Sequence, residues 1–178
     1  MKKLLLGVLA MMIATMITAQ KLPVDAKTGK VTFMKVIETG NVTAAEAKIV
    51  LQKWAAKQTT FSVTSDEATK LFYKGRHKVN YPAPKGSINQ SGDVSFNLQF
   101  FFKDGKFRYI MTDFIHSGKY GAGGKMVNVD PKCGYGKIKE KSWNMIKNQT
   151  LTKSTKMVEE FTKALQEFQN DPARSDDW

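Results

Sequence analysis

Residues 94–115 read VSFNLQFFFKDGKFRYIMTDFI, and this stretch predicts a β-hairpin. Apolar residues alternate with polar ones on both sides of Asp104 and Gly105, a dipeptide typical of two-residue hairpin turns. This turn sets four apolar pairs: Phe102 with Phe107, Phe100 with Tyr109, Leu98 with Met111 and Val94 with Ile115. Opposed residues share a face, so one face of the hairpin must be core. Phe96 would meet Asp113, and we therefore expect a bulge or the end of regular pairing near Thr112.

The segment before the hairpin also alternates with period two, which indicates a strand. One parity is mostly apolar and holds Leu71, Tyr73, His77 and Val79. The other parity is mostly basic and holds Lys70, Phe72, Lys74, Arg76 and Lys78. If this strand joins the hairpin, its basic face lies beside Asn97, Gln99, Phe101 and Arg108. His77 then faces the core, where we expect a hydrogen-bonded packing role.

The remaining patterns complete an α+β domain. Residues 31–38 read as a strand, and the Thr-x-x-Glu spacing of Thr43 and Glu46 predicts a capping box for a helix over 44–58. Its buried stripe is Ala47, Val50, Leu51 and Trp54. A second helix of about five turns follows from the stripe Leu151, Val158, Phe161, Leu165 and Phe168. We expect the order β-α-β-β-β-α, with an antiparallel sheet of four to five strands and both helices on one face.

The first residues have the features of a secretory signal peptide. Lys2 and Lys3 precede an apolar run over residues 4–17, and Ala19 is a suitable residue before the cleavage point. The run is shorter than the roughly 20 residues that a membrane-spanning helix needs. Cleavage after Ala19 predicts a periplasmic or extracellular protein with no transmembrane segment. Cys133 lies far from that point, which excludes a lipoprotein anchor.

Charge and length support one basic domain. The chain has 178 residues, with 28 Lys and Arg against 16 Asp and Glu, for a net charge of +12. Removal of residues 1–19 would leave 159 residues with a net charge of +10. We expect a single domain over 20–170 and a disordered tail over 171–178. The lone Cys133 excludes an internal disulfide framework.

Three short motifs carry a resemblance to a known family. They are LPVD at 22–25, TGKV at 28–31 and KDGKFRY at 103–109. In these the chain resembles a family of exported bacterial domains of unknown function with a TATA-binding-protein-like (TBP-like) fold, DUF4468. The resemblance covers residues 22–116 and extends to the C-terminal helix by pattern. It implies a curved antiparallel sheet with helices on the convex side, and its motifs carry no catalytic residues.

Phosphate-binding motifs do not fit the glycine-rich segment over residues 117–136. A P-loop ending at Gly124 and Lys125 would need glycine at position 119 and serine or threonine at position 126, but the chain has Lys119 and Met126 there. A dinucleotide fingerprint starting at Gly121 would need glycine at Met126. We expect a surface loop there.

One catalytic alternative stays open. Cys133 as nucleophile, His116 as base and Asp113 as orienter would make a hydrolase-type site if the fold brought them together. His77, His116 and Cys133 lack the spacing of metal ligands, and no cofactor or metal is predicted.

The leading hypothesis is a non-catalytic exported domain that binds an anionic glycan, an envelope surface or a protein partner. Its candidate surface is the basic strand face with its aromatic neighbours: Lys70, Phe72, Lys74, Arg76, Lys78, Phe101 and Arg108. Nucleic acid is not expected, because 25 of the 28 cations are Lys, whereas Arg is the usual residue for bidentate phosphate recognition. A solvated outer face and a structural role in an envelope assembly are the alternatives.

Overall fold

The computed structural model describes residues 21–82, 89–118, 124–126 and 138–171. The elements in chain order are β1 (Phe33–Glu38), α1 (Ala44–Ala56), β2 (Phe61–Glu67), β3 (Lys70–Pro82), β4 (Asn89–Lys103), β5 (Lys106–Gly118), β6 (Gly124–Lys125) and α2 (Glu140–Gln169). They form one antiparallel sheet in the order β1-β5-β4-β3-β2, with β6 also paired to β5. The predicted α+β class is confirmed. The predicted number of four to five strands is wrong, because β2 and β6 bring the sheet to six strands. These two strands also add elements to the predicted β-α-β-β-β-α order.

Several sequence predictions fall outside the described residues. These are the signal peptide at 1–19, residues 172–178 of the predicted tail, Cys133 and most of the glycine-rich segment.

Both helices pack on the same face of the sheet, as predicted. Phe161 of α2 lies at the centre of the core, with ring centroids 5.4 Å from Trp54 of α1. The same ring lies 5.3 Å from Phe100 of β4 and 5.0 Å from Tyr109 of β5. One aromatic cluster therefore joins the two helices to the two central strands.

Helix α1 begins at the predicted capping box. The Thr43 amide donates to Glu46 Oε2 (2.7 Å), and the Glu46 amide donates to Thr43 Oγ1 (3.3 Å). The Ala44 amide donates to Asp104 Oδ1 (2.9 Å), which fixes the hairpin turn against the start of the helix. The helix ends at Ala56, two residues earlier than predicted.

Helix α2 starts well before the predicted stripe. It begins at Glu140, and its first half packs Trp143 and Ile146 against the sheet together with small polar residues, Ser142, Thr150 and Ser154. No helix in the part of the chain that the structure describes combines the length and hydrophobicity needed to cross a membrane.

The hairpin register agrees with the prediction near the turn and changes beyond Thr112. The pairs of Phe102, Phe100 and Leu98 are confirmed, but Val94 faces His116 instead of Ile115. The expected bulge is confirmed, since the register shifts between Ser95 and Asn97 and Asp113 has a φ of 57°. An extra residue reverses the parity of a strand.

The reversed parity changes the core. Beyond Asp113, Phe114 and His116 point into the core and are fully buried, whereas Ile115 points outward and is 39% exposed. His116 is therefore a buried residue of β5, two residues before the strand ends at Gly118.

Gly75 supplies space for the core on the buried side of β3. A Cβ atom there would lie 2.5 Å from Cζ of Phe96 and 2.8 Å from Cε1 of Phe61. Phe96 is fully buried, so its ring can move aside only by displacing other core residues. We expect Gly75→Ala to lower the free energy of unfolding in urea by about 2 kcal/mol through overpacking. Lys74→Ala, on the exposed side of the same strand, is the control, and an equal loss in both variants would contradict this role.

Candidate functional site: the open face of the sheet

The basic parity of β3 lies on the sheet face away from both helices. Lys74, Arg76 and Lys78 are exposed, and Lys70 and Phe72 are half-buried. No described helix or strand packs over them. The structure thus places all five predicted β3 residues on one outward surface, which we call the open sheet face.

The register brings the other two predicted residues into this surface. Lys70 pairs with Phe101 of β4, and Phe101 pairs with Arg108 of β5. One row further along the strands, Phe72 lies beside Gln99, which in turn pairs with Ile110. The seven candidate residues therefore occupy three adjacent strands.

The two rings of this face pack against each other and against a cation. Phe72 and Phe101 meet edge to face, with ring centroids 5.4 Å apart. The guanidinium carbon of Arg108 lies 4.8 Å from the Phe101 centroid, a cation–π contact. These contacts hold the Arg108 side chain beside the rings.

Strand β1 adds two residues that sequence reasoning missed. Met34 pairs with Ile110 and Val36 pairs with Arg108, and these two outward side chains are 54% and 48% exposed. Together with three residues of the neighbouring strands they form a set that we call the apolar strip: Met34, Val36, Phe72, Phe101 and Ile110. The β-branched and apolar residues of 31–38 indicated a strand but not its neighbour.

Salt bridges leave the positive charge unevenly distributed. Lys70 Nζ lies 3.0 Å from Glu67 Oε2, and Lys78 Nζ lies 3.8 Å from Asp93 Oδ1. The hydrogen bond from Lys70, aided by one from Ser65, lowers the pKa of Glu67. Lys74, Arg76 and Arg108 form no ion pair within the described residues. Lys74 and Arg108 border the apolar strip, and Arg76 lies next to Lys74 along β3.

Asp113 and His116 lie on opposite faces of the sheet. The Asp113 carboxylate accepts hydrogen bonds from Lys30 Nζ (2.6 Å) and Asn97 Nδ2 (3.1 Å) on the open side. The bond from Lys30 is the main cause that lowers the pKa of Asp113. His116 lies in the core, with ring centroids 5.1 Å from Tyr81 and 6.0 Å from Trp143. Asp113 therefore does not orient His116, and this part of the predicted catalytic group is wrong.

His77 is buried beneath α2, as its parity predicted. Its Nε2 lies 3.5 Å from Thr150 Oγ1, and the Thr150 hydroxyl donates to the Ile146 carbonyl (2.9 Å). Burial, and secondarily the charge of Lys153, lowers the pKa of His77 to about 4. Burial also lowers the pKa of His116. Among the described residues, no group of three or more His, Cys, Asp or Glu is arranged to hold a metal.

Two solved structures have the same architecture. A DUF4468 family protein from Bacteroides ovatus ATCC 8483 superposes with a TM-score of 0.57 and 13% identity over 81% of this chain and 90% of that chain. A TBP-like protein from Parabacteroides distasonis ATCC 8503 gives 0.55 and 14% over 82% of this chain and 97% of that chain. This chain has a TBP-like fold. The resemblance drawn from the sequence is confirmed at the level of the fold. No protein-family model and no curated protein matches the chain.

Proposed function

We propose that this chain is an exported, non-catalytic binding domain whose open sheet face binds an anionic partner. The observation that carries the proposal is the position of Lys74 and Arg108 beside the apolar strip, with Arg76 next to Lys74 along the strand, on a face that neither helix covers. Large exposed apolar patches with a polar rim often mark interaction sites in soluble proteins. The cations at its border give the surface a preference for negative charge.

The charge of the whole chain supports the same proposal. After removal of residues 1–19, the net charge of +10 attracts anionic molecules over long distances and raises their rate of association. An anionic glycan, an anionic envelope surface and an acidic protein all present the required charge. Export rests on the signal-peptide pattern of residues 1–19.

The buried position of His116 favours binding over catalysis. Its ring lies in the core while Asp113 is engaged on the other face, so the two residues do not share a reaction site. The open sheet face supplies cations and apolar groups, which are suited to recognition.

A charge-neutralising variant tests the proposal. The protein with Lys74→Gln and Arg76→Gln should bind immobilised heparin about fivefold more weakly and elute at lower salt, since each exposed ion pair contributes up to about 1 kcal/mol. The matched control is Lys53→Gln with Lys57→Gln, which removes two exposed charges from the helix layer. Equal weakening in the two variants would show that retention follows net charge alone and would contradict the proposal.

A further inference from the structure

The members of the apolar strip extend across four strands of the open sheet face, with Gln99 and Arg108 between some of them. Met34 and Val36 lie on β1, Ile110 on β5, Phe101 on β4 and Phe72 on β3, and these strands are neighbours in the sheet. With adjacent strands about 4.8 Å apart, the strip is about 14 Å wide. A short segment of another molecule is long enough to cover it.

The rings of the strip are poorly placed for a sugar. A pyranose packs its C–H face on an open aromatic face, where the π-electrons are accessible. In this surface the edge of one ring meets the other, and the Arg108 guanidinium lies over Phe101. The other members, Met34, Val36 and Ile110, are aliphatic. Such side chains are suited to contact with the apolar side chains of a protein.

Arg108 provides a group that can bind a carboxylate beside the apolar strip. Its side chain is exposed, forms no ion pair within the described residues and is oriented by its contact with Phe101. A guanidinium held in this way binds a carboxylate through two parallel N–H donors, and less conformational freedom is lost on binding. Lys74 and Arg76 supply two more positive charges on the same face.

We propose that the partner is an acidic protein segment whose apolar side chains cover the apolar strip and whose carboxylates pair with Arg108, Lys74 and Arg76. This inference rests on the proposed function and names the partner class. The complementarity of charge and the aliphatic character of the strip favour this segment over a polysaccharide.

Three anionic probes test the partner class by fluorescence anisotropy with the full protein. The first is a short peptide in which glutamate alternates with leucine, and the second has serine in place of every leucine. The third is a heparin fragment that carries the same number of negative charges. We expect the leucine peptide to bind at least tenfold more tightly than either of the others, since only its side chains remove the strip from water.

Matched variants locate the contact. Met34→Ser with Val36→Ser should weaken binding of the leucine peptide about tenfold. Ile49→Ser with Val63→Ser removes two side chains of similar exposure, 50% and 58%, away from this face and should leave binding unchanged. Both variants alter exposed positions, and their circular dichroism should match that of the parent protein.

The outcomes separate this inference from the proposed function. Equal binding of the leucine and serine peptides, or tighter binding of the heparin fragment, would overturn the protein partner while leaving an anion-binding face in place. Equal loss in the two serine variants would overturn the role of the apolar strip. Failure of every probe to bind would overturn both proposals.

Discussion

Replacement of Phe161 by alanine should lower the free energy of unfolding by about 4 kcal/mol, the largest effect expected for a single substitution in this chain. The Phe161 ring is fully buried and contacts rings from α1, β4 and β5. Its removal leaves a cavity where the helices meet the sheet. Neighbouring aromatic side chains cannot fill this cavity without leaving their own contacts.

Urea denaturation followed by circular dichroism measures this loss. Phe72→Ala is the matched control, because it removes the same ring from a half-buried position on the open sheet face. We expect the control to lose less than half as much stability. A loss below about 1 kcal/mol in Phe161→Ala would mean that the site collapses around the smaller side chain, and that the helices do not depend on this contact.

Acidification from pH 6.5 to pH 4 should remove about 3 kcal/mol of stability through His77. The pKa of His77 falls from 6.5 to about 4 on folding, chiefly because burial disfavours the charged ring. Between these two values the unfolded chain holds a proton that the folded protein does not. Unfolding therefore takes up a proton, and stability decreases as the pH falls. The lowered pKa of His116 acts in the same direction.

His77→Gln provides the control for this pH dependence. Glutamine stays neutral, so the variant should lose clearly less stability than the parent between pH 7 and pH 5, where His77 accounts for about 2 kcal/mol of the loss. The carboxylates with lowered pKa values, Asp25, Glu67 and Asp113, titrate mainly below this interval. An unchanged slope in the urea-derived stability of His77→Gln would contradict the assignment.

Strict alternation made much of the sheet predictable. In β3, every second residue from Leu71 to Tyr81 is buried and the residues between them face outward. The two-residue turn at Asp104 and Gly105 set the first pairs of the hairpin correctly. These features are local, because period and turn type depend on residues close together in sequence.

The missed elements have weaker local signals. Strand β2 is an edge strand of sequence FSVTSDE, largely exposed and interrupted by a bulge between Val63 and Ser65. The first half of α2 buries Ser142, Thr150 and Ser154 beside Trp143 and Ile146, so polar residues interrupt the apolar stripe on its inward side. The bulge at Asp113 was expected, but not its effect on His116. The extra residue exchanges the inward and outward positions beyond the bulge and so places His116 in the core.

The candidate site was predicted in part for a related reason. Alternation assigned Lys74 and Arg76 to an outward face, and the hairpin supplied Phe101 and Arg108. Met34 and Val36 join them because β1 pairs with β5 across more than 60 residues of chain. No local sequence pattern predicts which distant strand pairs with β5 at the edge of the sheet.

The two-layer arrangement has a consequence for how such a chain changes over time. Each central strand carries two interleaved sets of residues, one for the core and one for the open sheet face. A substitution in the outward set leaves the packing of the core almost untouched, so the open sheet face can change while the architecture is retained. Two proteins with the same fold are 13% and 14% identical to this chain, so the architecture does not require a similar sequence.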